Sequence, residues 1–374
     1  MSKIIYKNLL SPLGLSLEDN FRQICNGKSA LQPASYDWLP QETYTSVIDN
    51  DEIDEAFRLQ GPPDRYTKLE KLSILLINDL LEKTEIDAGA EDTLLIFSTT
   101  KGNIELMYAD NKQIPKDRIQ PSSFAEVIRS FFNFQHTPVI VSNACVSGVQ
   151  AMLLADTLLR ADAYKNVLVV GGDMVGRFTL SGFSAIRALS SQRCLPFDRD
   201  RKGINLGECC VGVVMTNEEG AVGAEIVTGA STVDAHHIVA PSRTASGLTA
   251  AIKKCLEHGG GADIGFVSAH GTATKYNDEM EALALNNNQL SHLPLFSLKG
   301  YYGHTLGAAG ILEAVIALSC LENNCLIPSK GYAQSGVSYP INVLRSLEKR
   351  NCKGFLKTAS GFGGVNAAMI IRRA

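Results

Sequence analysis

The chain has 374 residues, 45% of them apolar and 20% charged, with a formal net charge of -4. That length exceeds what one hydrophobic core usually supports, so two domains or two fused halves are expected. The lack of a basic excess excludes a general nucleic-acid binder.

Nine cysteines are scattered without a CxxC or a Cys/His ligand spacing, so neither a disulfide frame nor a zinc site is expected. No apolar run reaches the length of a membrane span, and the start lacks an apolar segment of signal-peptide length. A reducing, cytoplasmic setting follows as the expectation.

Taken in chain order, Ile4-Ile5-Tyr6 reads as an edge strand, followed by the turn Ser11-Pro12-Leu13-Gly14 and a helix from Leu17 to Cys25. Residues 33–66, rich in Pro, Tyr, Asp and Gly, read as a surface excursion. Leucines 69, 72, 75, 76, 80 and 81 mark a helix over 68–83, and Thr93 to Ser98 a buried strand. Residues 101–121 are polar and irregular, and a helix resumes over 123–132.

The β-branched run Thr137 to Val141 then feeds the turn Ser142-Asn143-Ala144-Cys145, from which a helix pattern departs through Val149, Met152, Leu153, Leu158 and Leu159. A cysteine at such a strand-to-helix turn meets the positive end of the helix macrodipole, which would favour the thiolate. Its bland alternative is a small buried hydrophobe.

Asn166 to Val170 is a strand ended by paired glycines, Pro196 to Gly203 a charged turn, and Val211 to Met215 a strand that closes the first half. The seam is placed at Asn217-Glu218-Glu219-Gly220, dividing the chain into 1–217 and 218–374. The second half repeats the layout: strand 224–227, helix 246–258, strand 264–269 ending at His270, then Leu295 to Leu298 running into Lys299 and His304, and a helix over 306–321. Late strands at 341–344, 354–359 and 368–371 follow. Alternating strands and helices point to an α/β layered fold.

His270 and His304 each stand at the end of an apolar strand, where ligand sites gather in such folds. Each alone reads as an inert buried histidine; with Cys145, the set could converge on one pocket. Asp278 and Glu281 read as a capping box opening the helix at Ala282. Gly361-Phe362-Gly363-Gly364 would bring backbone N–H groups near the pocket, or simply reverse the chain.

The ordered set Asn143-Ala144-Cys145, Pro196-Phe197-Asp198 with Gly207-Glu208, His270-Gly271-Thr272-Ala273-Thr274, Lys299 with Gly303-His304 and Gly307-Ala308-Ala309-Gly310, and Gly361-Phe362-Gly363-Gly364-Val365-Asn366 resembles the β-ketoacyl-acyl-carrier-protein synthases of the elongating, Cys-His-His type. The resemblance runs from about Ser11 to the C-terminus. It implies a thiolase-like fold, two pseudo-symmetric halves forming a five-layer αβαβα sandwich, in a homodimer or a heterodimer with a related subunit. It implies decarboxylative condensation of an acyl group on Cys145 with malonyl-acyl-carrier protein, in fatty acid or polyketide elongation.

By the same resemblance His270 and His304 act at malonyl decarboxylation, Lys299 is the nearby charge, and Glu313 is a buried acidic partner. Cys145 and Phe362 supply the oxyanion hole, Phe362 is the gate, and Thr272 and Thr274 hold the pantetheine arm. No bound cofactor or metal is implied; substrates ride on the phosphopantetheine of the carrier protein. Arg65, Lys68 and Lys71 are candidates for the contact with that acidic partner, or merely a solvated face. Val146 after the nucleophile and Cys209-Cys210 after Glu208 depart from the family's usual small residues. They leave open a specialised synthase, for a polyketide or an aryl-polyene-like pigment, working beside a non-identical subunit. A non-catalytic chain-length-determining subunit is the rival reading, against which Cys145 itself argues.

Overall fold

The structure, a computed structural model, describes residues 2–109, 113–259 and 263–373. Its main sheet has eleven strands. In chain order they are β1 (Lys3–Leu10), β2 (Thr93–Ser98), β3 (Val139–Val141), β4 (Asn166–Asp173), β5 (Cys209–Thr216), β6 (Ala224–Val233), β7 (Ile264–Ser268), β8 (Pro294–Phe296), β9 (Asn342–Val343), β10 (Gly354–Gly361) and β11 (Val365–Arg372). Across the sheet they run β9-β8-β7-β10-β11-β6-β1-β5-β4-β2-β3.

That order contains one pattern twice. In β1 to β5 the spatial sequence is third, second, fourth, fifth, first, and β6, β7, β8, β10 and β11 repeat it, with β9 added at the far edge. The pairing senses repeat as well. Third and fourth strands lie parallel to the second, while the fifth lies antiparallel to both the fourth and the first. The two halves meet where β1 pairs with β6. The opening segment is therefore the interior seam of the sheet and not the edge strand expected from its place at the chain start.

Among the described residues ten α-helices clothe this sheet: α1 (Leu17–Cys25), α2 (Asn50–Phe57), α3 (Lys68–Thr84), α4 (Pro121–Phe132), α5 (Ser147–Arg160), α6 (Arg177–Ala185), α7 (Ser246–His258), α8 (Lys275–Asn287), α9 (Lys299–Tyr302) and α10 (Ala309–Glu322). Because successive strand residues face opposite ways, each half-sheet buries two faces. Leu95, Phe97, Leu168 and Val170 pack under α3 and α4. Their alternates Leu94, Ile96, Val167 and Val169 share a core with α5, α10 and the inner face of the second half, Phe266, Phe355, Met369 and Ile371. The outer face of that half, Val267, Leu356, Ala368 and Ile370, lies against α7 and α8. The result is the five-layer α/β sandwich of the thiolase-like fold.

The central helices show why the layers hold. Every residue of α10 from Ala309 to Leu321 is buried, as a helix with apolar residues all round must be. Close approach of α5 and α10 depends on glycine: a Cβ on Gly148 would stand 2.9 Å from the Ile311 nitrogen, and one on Gly310 2.6 Å from the Val149 nitrogen. Residues 33–66 are more than a surface excursion. Gln32–Ala34, Thr43–Ser46 and Leu206–Gly207 form a small sheet, and Ile53 and Phe57 of α2 are buried in the core beneath α3. Of the irregular stretch 101–121, residues 110–112 lie outside the described residues, and the rest holds short 3-10 turns at Ile104–Met107 and Lys116–Ile119.

Candidate active site

Cys145, Lys299 and His304 follow the third strand of their respective halves, and His270 follows a second strand, so all four side chains gather at the carboxyl ends of the parallel strands. The turn before α5 is built from its own residues. Asn143 donates its N–H to Ser147 Oγ at 2.7 Å, and that hydroxyl donates to the Ala144 carbonyl at 2.6 Å. Ala144 takes φ +46°, a left-handed conformation that turns the chain sharply just before Cys145. Gly361 fits over this turn, where an added Cβ would lie 3.2 Å from the Cys145 nitrogen.

His304 Nε2 lies 2.8 Å from Cys145 Sγ, and the rings of His304 and His270 stand edge to face with centroids 5.5 Å apart. The expected meeting of one sulfur and two imidazoles is thus present. Lys299 lies 3.3 Å from His270 Nδ1 and also donates to the His270 carbonyl, while its ammonium pairs with Glu313 at 2.6 Å. With a cation at Nδ1, the His270 proton resides on Nε2. His304 Nδ1 is buried without a hydrogen-bond partner among the described residues. A bare lone pair costs less there than an unpaired N–H, so its proton also resides on Nε2.

The charge states differ from the expectation of a thiolate. Burial pushes the Cys145 thiol up to about 12, against the opposing pull of Lys299 and Lys101. The helix end does not offset this loss of solvation. Both imidazoles are held well below the usual histidine range, first by burial and then by the cations Lys299 and Lys357. The resting centre is a neutral thiol beside two neutral imidazoles.

Asp278 and Glu281 are not a capping box. Helix α8 begins at Lys275 with Thr274 as its N-cap, which puts both carboxylates inside the helix. Their oxygens instead accept from the loop that carries His270. Glu281 takes the N–H groups of His270 and Gly271 at 2.8 and 2.7 Å, and Asp278 those of Thr272, Ala273 and Phe197. The signal was the pair of acids; the loop's own unpaired N–H groups were the stronger claim on them.

A cavity of about 400 Å³ reaches Cys145, His270 and His304 from the surface. Thr272 and Thr274 line it, with their hydroxyls 2.9 Å apart. Phe362 lines it too, 36% exposed and 5.7 Å from the Phe183 ring. The candidates for a carrier contact lie elsewhere: Lys68 pairs with Glu208 at 2.7 Å, Lys71 with Asp54, and only Arg65 stays exposed. None of the three lines the cavity, whereas Arg187, Lys202 and Lys275, all exposed, do.

Sequence reasoning passed over two buried charges. Asp173, at the end of β4, accepts the N–H groups of Thr100, Lys101 and Gly307 and so ties the loop after β2 to the start of the segment leading into α10. Lys357 lies in β10 and pairs with Glu313 at 2.7 Å. A lysine inside the apolar run Phe355-Leu356-Lys357 was the available signal.

Against known proteins, the family described as "Beta-ketoacyl synthase, N-terminal domain" matches residues 8–221, and "Beta-ketoacyl synthase, C-terminal domain" matches residues 223–333. A Rhizobium meliloti protein named 3-oxoacyl-[acyl-carrier-protein] synthase 2 is 33% identical over 254 residues, a stretch taking in 62% of this chain and 60% of that one. A Schizosaccharomyces pombe protein, provisionally named as a mitochondrial 3-oxoacyl-[acyl-carrier-protein] synthase, is 24% identical across 100% of this chain and 99% of its own length. Among solved structures, a ketosynthase in complex with its chain length factor from Xenorhabdus doucetiae superposes with a TM-score of 0.89 at 22% identity, covering 100% of this chain and 98% of that one.

Proposed function

From the premise that the chain belongs to the beta-ketoacyl synthase family, we propose that Cys145, His270 and His304 carry out the condensation of an acyl thioester with a malonyl thioester. Its activity is that of a condensing acyltransferase of fatty acid or polyketide synthesis. The observation that carries the residue assignment is the sulfur held 2.8 Å from one neutral imidazole, with the second imidazole ring against the first.

In the first stage Cys145 Sγ attacks the carbonyl carbon of the acyl-carrier thioester. The Sγ proton goes to the departing pantetheine sulfur, and an acyl-Cys145 thioester remains. His304 Nε2–H faces Sγ and stabilises its developing negative charge. The N–H groups of Cys145 and Phe362 receive the oxyanion of the tetrahedral intermediate.

In the second stage the malonyl thioester enters, and its terminal C–C bond breaks to release carbon dioxide. The electron pair moves onto the thioester oxygen as an enolate, facing the Nε2–H groups of His270 and His304. Neutral imidazoles suit this task, because they donate a hydrogen bond without surrendering the proton to the enolate. The enolate carbon then attacks the acyl-Cys145 carbonyl, and collapse of the intermediate expels Sγ as a thiolate, which takes a proton from solvent water. The product is a β-ketoacyl thioester on the carrier.

The donor arrives on the phosphopantetheine of an acyl carrier protein, whose arm passes Thr272 and Thr274 and the gate of Phe362. An acidic carrier finds its complement in Arg187, Lys202 and Lys275 around the mouth rather than in Lys68 or Lys71. A second copy of the chain, or a related subunit, is expected at β3, the edge strand whose Val139 is 36% exposed. The test is release of carbon dioxide and formation of β-ketoacyl carrier from malonyl and acyl carriers. Cys145→Ala should abolish the condensed product, and unchanged product would defeat the assignment.

A further inference from the structure

Lys357 is the single charged residue of β10, a strand buried from Gly354 to Ser360, and its side chain is 0% exposed. A lysine so placed persists as a cation only with close anionic or dipolar partners. It has three. Its ammonium lies 2.7 Å from Glu313 Oε2, donates to the Ser268 carbonyl at 3.1 Å, and donates to the Thr358 carbonyl. These oxygens come from α10, β7 and β10, and a carboxylate with two main-chain carbonyls is an acceptor set suited to a hard, singly charged cation.

The other side of this cluster faces the reacting groups. Glu313 Oε1 takes Lys299 at 2.6 Å, and Lys299 reaches His270 Nδ1 at 3.3 Å. Next to Lys357, the Thr358 hydroxyl donates to Glu281 at 2.6 Å, and Glu281 accepts the backbone N–H of His270. Two cations thus bracket one carboxylate, and both routes from β10 end on the same histidine.

We propose that Lys357 is a positioning residue that acts as a tethered monovalent cation: by holding Glu313 from behind, it aims Lys299 at His270 Nδ1 and fixes the imidazole for malonyl decarboxylation. This rests on the reading of the site as a condensing centre. The charges facing His270 are Lys299 on α9, Lys357 on β10, Glu313 on α10, and Glu281 and Asp278 on α8; His304 faces it as a neutral ring. Burial does most to keep both imidazoles unprotonated and Lys357 adds to it, so loss of the Lys357 charge moves their protonation toward higher pH. It also leaves an oxygen-lined hole of ammonium size.

The experiment measures carbon dioxide release from malonyl carrier protein by the full-length chain across acid and neutral pH, in choline chloride and in ammonium or potassium chloride. If the unaltered chain releases none, the condensing reading fails and not this one. Given an active parent, Lys357→Met should lower kcat by roughly ten- to a hundredfold with little change in KM. Its acid limb should move to higher pH, and ammonium or potassium, but not choline, should restore rate. Lys357→Gln, which keeps N–H donors without the charge, should show the same displaced limb. If neither variant folds in choline, a melting temperature raised selectively by ammonium is the expected result. Folded variants with the parental pH profile and no cation response, or unfolded ones indifferent to ammonium, overturn the proposal.

Discussion

At Cys145 burial outweighs the two lysines that would draw out a thiolate, and at His270 and His304 burial and the lysines act together against protonation. The cysteine therefore rests as a thiol, and the neutral imidazoles can serve as donors in the proposed reaction. His304→Ala should lower malonyl decarboxylation by roughly a hundred- to a thousandfold, the range for removal of one donor to a developing oxyanion; steady-state carbon dioxide release reads it. If the neutral imidazoles act as proposed, then, because burial and the lysines hold their pKa well below 6.5, the parental rate should stay level as pH falls through 6.5. An acid limb centred there would show that the rings titrate as ordinary histidines. Cys145, His270 and His304 were legible in the sequence because rare, reactive residue types stand at the ends of apolar strands. The protonation of Cys145 was not, since desolvation depends on what packs around the turn. Lys357 carried a signal, a charge within an apolar strand, but its partner Glu313 sits 44 residues away and nothing local links them.

Among the elements, α5 and α10 matter most, because one starts just after Cys145, the proposed nucleophile, and the other carries Glu313. Their contact runs backbone to backbone at Gly148 and Gly310, so Gly310→Ala should destabilise the fold by about 1 to 3 kcal/mol and depress condensation with it. Chemical denaturation with a parallel rate assay tests this, and unaltered stability would contradict the packing. Helix α8 gives a second test. Burial pushes the Asp278 carboxyl up to about 6, whereas the unfolded chain loses that proton near 3.8. Between those values the unfolded state binds fewer protons, so this residue's contribution weakens as pH rises through the window. Asp278→Asn should reduce the fall in melting temperature across it. Long helices such as 68–83 were readable from periodicity alone. The start of α8 was not: Asp278 and Glu281 have cap spacing, yet the loop amides of His270 and Thr272 take both carboxylates from inside the helix.

The main sheet is one strand pattern used twice, with β1 and β6 as the seam, β9 added at one edge, and Cys145 and His304 following corresponding third strands. Repeated strand-turn-helix segments around Cys145 and His304 hinted at this duplication. The role of β1 could not be read, because pairing partners lie far along the chain. Among the described residues strand β3 ends the sheet directly before the Cys145 turn, and this open edge predicts association. Light scattering should report a dimer, and Val139→Pro should shift it toward monomer. Intact-mass spectrometry of the chain and carrier together, after addition of acyl carrier and then malonyl carrier, tests the proposed condensation most directly. An acyl adduct confined to Cys145 should form first and then disappear as a β-ketoacyl carrier, lighter by carbon dioxide than its combined precursors, accumulates. Free acid in place of that product, or an adduct that malonyl carrier never discharges, would contradict it.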